Sequence, residues 1–505
     1  MKTLSKAVLR LHLLCVFFAL GSFVWGYNVG ILSSVLVHPG FKRAIGYPTA
    51  SEKGVITGIY YLGTWVSYIF ISHPVSDRFG RRYAALLGII IVAIAIAFES
   101  GASGPGAFSM VIVGRIISGL GIGMVSTSVP LYQSEVAPAG KRGQYVVLNH
   151  VGFVVGLAAG FWTGYGVTFW SSTAYGQYIS WRFSLAINLV PSFVFGAGLP
   201  FLPETPRWLV EHGYYEKALR SLHWLREESF TNEQIHAELK RIRDDVEEHR
   251  GSGTSWLTLF RDPNLFRRLW RASLLQFMAQ MCGAAAMKYY LPTLLEKLGL
   301  STRTALMAGG IESTLKIGMT VLEMLLIDRL GRRITLVSGT LAMGFALLIN
   351  GVLGQVYPGN TSRSADIVCV VFVFVYALGY SMGFGPAAWV YGSEIFPTAV
   401  RARGLNFSAS GSSIGSIVAA QVWPVGIETI GSKIYFFFMA INFACIPILL
   451  LFYPETKGVS LEDMDVLFQN QRLPSPRGEE GIDEPAGAVD PGLPKPREEG
   501  QQAAR

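Results

Sequence analysis

The chain has little charge. Of its 505 residues only 15% are Asp, Glu, Lys or Arg, while 51% are hydrophobic. A soluble domain carries about a quarter of its residues as charges, so the composition excludes an ordinary soluble fold. Cysteine is also scarce. Cys15, Cys282, Cys369 and Cys445 each sit in an apolar run, far from one another in sequence. That excludes a disulfide frame and a thiolate metal site, and leaves them as small packing residues. There is no Gly-rich phosphate loop of the ATPase kind, no cluster of metal ligands and no nucleophile constellation. No enzyme activity and no cofactor are expected.

Twelve apolar runs of about 20 residues occupy the space between the charges, the first over 14–36 and the last over 433–453. Each is long enough to cross a hydrocarbon core about 30 Å thick. In lipid the backbone must satisfy itself within the segment, so each run is expected to be a helix. The 56 glycines recur at close spacing, as at Gly114, Gly119, Gly121 and Gly123, and small residues let membrane helices approach closely. The first run follows Lys2, Lys6 and Arg10 but is too long for a signal peptide and lacks a cleavage site. It is read as the first span.

The runs are organised by a repeat. Asp77-Arg78-Phe79-Gly80-Arg81-Arg82 returns 251 residues later as Asp328-Arg329-Leu330-Gly331-Arg332-Arg333. Pro203-Glu204-Thr205 returns at the same offset as Pro454-Glu455-Thr456. Glu135, Pro138 and Arg142 return as Glu394, Pro397 and Arg401, at an offset of 259. The expected architecture is therefore an all-α membrane protein of twelve transmembrane helices in two pseudo-symmetric six-helix bundles. A duplicated helical membrane unit is a common build for carriers that alternate their access. The bundles are assigned to 1–202 and 270–453, with a cytoplasmic linker at 203–269 and a tail at 454–505, disordered after about 470.

Net charge is +8, which suits nucleic acid as readily as a membrane protein. Position favours the membrane. Thirty-one of the 42 Lys and Arg fall on the side of the termini, eight on the opposite side, and three within spans (Arg115, Lys288, Lys316). The excess marks the terminal side as cytoplasmic. Asn360 then lies outside, in a possible glycosylation sequon. In the linker, Leu219, Leu222, Leu225, Ile235, Leu239 and Ile242 are spaced for short amphipathic helices. Such helices are either a latch on the inner gate or a solvated connection.

Together these motifs resemble the sugar porter family of the major facilitator superfamily over nearly the whole chain. The matching pieces include Gly26-Tyr27-Asn28-Val29-Gly30, both Asp-Arg-x-Gly-Arg-Arg strings, Gly114-Arg115, Pro130 to Pro138, Tyr289-Tyr290, Gly385-Pro386-x-x-Trp389 and both Pro-Glu-Thr strings. The resemblance implies a central substrate cavity and rocker-type alternation. It implies an inner gate of Asp77, Arg78, Arg81, Arg82, Glu135, Arg142, Glu204 and Arg207 in one half. Asp328, Arg329, Arg332, Arg333, Glu394, Arg401 and Glu455 repeat the set in the other. Ion pairs among them are expected when the gate is shut; the bland alternative is a permanent belt. His73 stands where the family usually has Gly, which puts the close helix contact there in question.

An ionisable group inside a span is a functional candidate. Proton-coupled members pair the span-four Arg, here Arg115, with an acid in span one, where this chain has Asn28. An amide carries no proton at neutral pH, so uniport is favoured, with Glu99, Glu312 and Glu323 as the acids through which symport stays open. The substrate pattern departs further. His150 replaces a Gln, only Gln280 remains of a pair, and Ala285 replaces an Asn. Trp389, Tyr289, Tyr290 and, in span eleven, Ser416 complete the candidate site. His150 and Lys288 add cationic capacity suited to an anionic or aromatic substrate, although Lys288 equally fits a lysine snorkelling outward.

The expectation is a small-molecule carrier in the lipid bilayer, at the plasma membrane with both termini cytoplasmic, sufficient as a monomer and without a nucleic-acid partner. The substrate is a sugar by family, or a non-sugar metabolite such as a hydroxylated or aromatic acid, imported or exported. A non-transporting nutrient sensor is the rival of another class.

Overall fold

The computed structural model describes residues 6–138, 142–226, 230–249, 256–358, 361–396 and 400–456. Among these there is no β-strand. Span 1 is Lys6–Val37, span 2 Ala50–Phe79, span 3 Arg81–Gly101, span 4 Ala107–Val136, span 5 Arg142–Val167 and span 6 Ala174–Phe201. Span 7 is Pro263–Met281 followed by Ala284–Lys297, span 8 Thr302–Leu330, span 9 Arg332–Val356, span 10 Arg363–Gly392, span 11 Arg401–Thr429 and span 12 Lys433–Phe452.

Nine of the twelve are long and apolar enough to cross a membrane by length and composition. Spans 7, 8 and 11 do not reach that mark among the described residues. Span 7 is interrupted at Gly283, whose φ of +107 leaves the helical region. Span 8 buries Glu312, Lys316 and Glu323, and span 11 buries Asn406, Ser408, Ser410, Ser413 and Ser416. Polar atoms in a span are tolerated where they face protein and not lipid. Asn360 and the tail beyond 456 lie outside the described residues. So do the side chains of Arg142 and Asp328.

Glycine sets the closest approaches. A Cβ on Gly26 of span 1 would lie 1.8 Å from the carbonyl oxygen of Phe153 in span 5, and one on Gly119 of span 4 would lie 2.1 Å from that of Tyr60 in span 2. Both neighbours are backbone, so neither contact can yield to a larger residue.

The duplicated strings fold into one network, made twice. Gly80 ends span 2 and begins span 3 at φ +95; Gly331 does the same between spans 8 and 9 at φ +94. The first N–H groups of a helix have no partner within it. Here a distant carboxylate supplies one. Glu204 accepts from the Arg81 and Arg82 N–H groups, each at 3.2 Å. Glu455 accepts from those of Arg332 and Arg333, at 2.9 and 3.0 Å. The arginine side chains turn to the third landmark. Arg81 reaches Glu135 at 3.1 Å, and Arg332 reaches Glu394 at 2.8 Å. Thr205 and Thr456 donate to the other oxygens of those same glutamates, at 2.5 and 2.9 Å.

The linker folds into helices Pro206–Glu211, Tyr215–Arg226, Asn232–His249 and Trp256–Arg261. Leu222, Leu225 and Ile235 are buried, and Leu239 and Ile242 pack on Leu209, Val210 and Ala218. Arg226 fastens this layer to the first half, donating to Glu238 at 3.0 Å and to the Val136 carbonyl at 3.1 Å.

A histidine closes the far end of span 1. His38 accepts from the Gly40 N–H at 3.1 Å and meets Ser180 Oγ at 2.9 Å. Burial, helped by Lys42, pushes its pKa down to about 4. The unfolded chain keeps the ordinary value near 6.5 and so binds the proton more readily between the two. Stability from this site is complete above about pH 6.5 and is lost as pH falls towards 4. His38→Asn keeps a capping acceptor without a titration. Thermal unfolding of the variant should therefore lose less between pH 7 and 4.5 than that of the parent chain.

Candidate functional site

Contacts between the two halves gather on the face opposite the termini. Thr57 meets the Tyr290 hydroxyl at 2.7 Å, Thr64 meets Ser413 at 2.8 Å, and Trp162 donates to Thr314 at 3.0 Å. Ser33 donates to the Lys288 carbonyl. Tyr61 packs edge-on against Tyr289, with ring centroids 6.1 Å apart.

The terminal face is different. A cavity of about 640 Å³ opens there between the halves, lined by Asp77, Arg81 and Glu135 of the first, Arg401 and Arg403 of the second, and the linker residues Glu238 and Arg241. The conformation is sealed on one face and open on the other.

The gate residues pair within their own halves. Arg81 lies 3.7 Å from Asp77 and 3.9 Å from Glu211, besides Glu135. Arg82 donates to the carbonyls of Leu202 and Pro200, and Arg333 to that of Leu450. Arg207 meets Glu211 at 3.3 Å, Arg401 donates to the Phe396 carbonyl at 3.3 Å, and Arg78 and Arg329 are exposed. These pairs stand while the terminal face is open, so they are not formed only on closure. Glu204 and Glu455 add a role that was not expected, because both cap helices by accepting from backbone N–H groups. Burial pushes the Glu204 carboxyl above the usual range, against the pull of those N–H groups. A bond that does cross the halves here runs from Arg403 Nε to His73 Nε2, at 2.7 Å. His73 fills the place of the expected glycine and also lies 2.9 Å from Asp77.

Deeper in, a small cavity of about 30 Å³ shares Leu131, Ser134 and Arg401 with the large one. Trp25, His150, Phe153, Pro386 and Trp389 line it, and no described lining residue is a carboxylate. His150 stacks on Phe153 at 5.7 Å. The Lys288 ammonium lies 5.7 Å from the centroid of the same ring and 3.4 Å from the Tyr380 hydroxyl. Gln280 donates to that hydroxyl at 3.5 Å and leaves its own carbonyl oxygen without a hydrogen bond. His150 and Trp389 thus line the cavity, while Gln280 and Lys288 meet at the Tyr380 hydroxyl, with Lys288 also approaching Phe153.

Tyr289, Tyr290 and Ser416 are not brought to that cavity. Both tyrosines belong to the seal, and Ser416 is buried beside Tyr61. Both tyrosines lie beyond the interruption at Gly283, on the second piece of span 7.

Trp25, Phe153 and Tyr380 were not expected in the site. Phe153 follows His150 by three residues and so shares its face, which is the signal that could have found it. Tyr380 is a hydroxyl in an apolar run, and a buried tyrosine hydroxyl needs a partner.

Asn28 and Arg115 meet as expected. Arg115 Nη1 donates to Asn28 Oδ1 at 2.6 Å, and Asn28 Nδ2 to Ser118 Oγ at 3.1 Å. The guanidinium sits 4.3 Å from the Tyr60 ring centroid and 3.9 Å from Glu99.

A family model described as "Sugar (and other) transporter" matches residues 14–468. The chain belongs to the sugar porter family of the major facilitator superfamily. Among sugar porter relatives, the MFS-type transporter criB of Aspergillus cristatus is 30% identical over 467 residues, covering 92% of this chain and 95% of that one. A probable quinate permease of Aspergillus fumigatus is 28% identical over 482 residues, covering 92% and 88%. Among solved sugar porters, the proton:xylose symporter XylE bound to 6-bromo-6-deoxy-D-glucose superposes with a TM-score of 0.77. It is 22% identical, with 91% of this chain and 99% of that one covered. The inward-open xylose transporter XylE from E. coli gives 0.75 at 21% identity, covering 90% and 99%. The fold is that of the major facilitators, and this sugar porter is a membrane transporter of a small solute.

Proposed function

We propose that the transporter carries a small hydroxylated carboxylate by alternating access, with both termini cytoplasmic at the plasma membrane and one chain sufficient. The observation that carries this reading is the approach of Lys288 and His150 to the same ring, Phe153, which lines a cavity with no described carboxylate. A hexose offers hydroxyls only and calls for amides that both donate and accept. Gln280 alone remains of that set. A carboxylate is met more strongly by a charge-assisted donor, and a ring bearing it can lie against Trp389 and Trp25. Quinate, named in several relatives, has this chemistry.

A sugar is the second reading, favoured by family and by Gln280. The test is counterflow in proteoliposomes loaded with quinate or glucose, with each solute also offered as competitor. Quinate exchange that glucose fails to inhibit is the expected result. Glucose exchange indifferent to excess quinate would give the sugar reading its place.

A further inference from the structure

We propose that Glu99 is the proton-binding group of this carrier, so that solute moves together with a proton. The inference builds on the carrier reading above, and its proton step holds for either solute.

Among the described residues three acids lie buried in spans, and their surroundings separate them. Glu312 is paired with Lys316 one turn away and accepts from Ser313 at 3.1 Å. Glu323 is 1% exposed, and both its oxygens lack a hydrogen-bond partner. Glu99 is 2% exposed and has both freedom and a connection. Its Oε1 has no hydrogen bond and stands 3.9 Å from Arg115 Nη1. Arg115 Nη2 is likewise without a hydrogen bond. Room for the carboxyl is made by Gly114, where a Cβ would lie 2.6 Å from Glu99 Cγ.

The charged groups around Glu99 are few. Span 4 presents Arg115. Span 6 presents Arg182, whose guanidinium is turned to the carbonyls of Ala102 and Tyr178. Span 2 presents the Tyr60 hydroxyl and span 7 the Tyr289 hydroxyl, neither of which has a hydrogen bond.

Arg115 is the shared element. It is held by Asn28 of span 1, stacked on Tyr60 of span 2 and near Glu99 of span 3. Tyr60 packs edge-on against Tyr61, at 5.2 Å, and Tyr61 against Tyr289 of the seal. In the sealed conformation Arg115 is hydrogen-bonded to Asn28 and stacked on Tyr60, with Glu99 at 3.9 Å, and a protonated Glu99 keeps it there. An ionised Glu99 draws the guanidinium to itself and away from Tyr60, which loosens the stack behind the seal. The proton adds to a Glu99 oxygen from the face opposite the termini. It leaves to solution on the terminal face, and no bond but that O–H is made or broken. Each state of Glu99 favours one conformation by its differential contacts, as a two-state coupling requires. One carboxylate moving with one proton carries no net charge.

The test uses the full chain in proteoliposomes, with the membrane potential clamped at zero and labelled quinate and glucose in separate arms. Whichever solute shows equal-pH counterflow identifies the substrate reading; the proton test then runs on that solute. One unit of pH gradient should support about tenfold accumulation for one proton per solute. Glu99→Gln should keep counterflow and lose accumulation, and Glu99→Asp should keep both. A readout without solute is the alkylation of Thr57→Cys at the seal: its pH dependence should exceed the titration of the thiol itself, and that excess should vanish with Glu99→Gln. Equal accumulation by Glu99→Gln and the parent chain would overturn the proposal. So would a parent chain that never exceeds equilibrium, or labelling that depends on pH equally in Glu99→Gln and the parent chain.

Discussion

Arg81→Ala is expected to destabilise the folded protein by about 3–5 kcal/mol, the usual cost of removing one partner from a buried ion pair. The Arg81 side chain is 4% exposed and Glu135 is 7% exposed. Without the guanidinium, Glu135 loses its ion pair at 3.1 Å and is left beside the carboxylates of Asp77 and Glu211. The loss would appear as a lowered unfolding temperature and a smaller monodisperse fraction in detergent. Glu135→Gln added to Arg81→Ala should restore part of it, because the stranded charge is then gone. The same substitution at Arg332 should cost less, since Glu394 is 21% exposed. Equal unfolding temperatures for Arg81→Ala and the parent chain would mean that the network holds nothing together.

Lys288→Met is expected to weaken carboxylate binding about 10–100-fold, with little change in stability. A hydrogen bond to a charged group contributes roughly 1.5–3 kcal/mol, and each 1.4 kcal/mol is about tenfold in affinity. The lysine has a single long contact with Tyr380, at 3.4 Å, so the fold loses little with it. Competition by quinate in counterflow reads the affinity, and thermal unfolding reads the fold. Unchanged competition would return Lys288 to the snorkelling alternative. His150→Gln, which restores the amide of the sugar pattern, should shift preference towards glucose.

The architecture was legible because its signals are local strings. Apolar runs, the two Asp-Arg-x-Gly-Arg-Arg turns and both Pro-Glu-Thr ends are each read in a few residues. What those glutamates do was not legible. Glu204 meets backbone N–H groups 122 and 123 positions away, and a carboxylate near several arginines suggests an ion pair before it suggests a remote cap. The candidate site was half legible. His150, Gln280, Lys288 and Trp389 announce themselves as polar or aromatic departures in apolar spans. Tyr289 and Tyr290 do so equally, yet beyond the turn at Gly283 they belong to the seal. Helical phase beyond a break cannot be counted from the sequence before it.

The remote caps also bear on the order in which the chain is made. Span 3 is not capped until Glu204 has been synthesised, and within the next seven residues, which supply Thr205 and Glu211, the first half has every group its network needs. The second half waits in the same way for Glu455. Each half is thus finished by nearly its last residue and requires nothing from the other to close its own network. A ribosome delivering this chain would present the membrane with one completed module before the next begins.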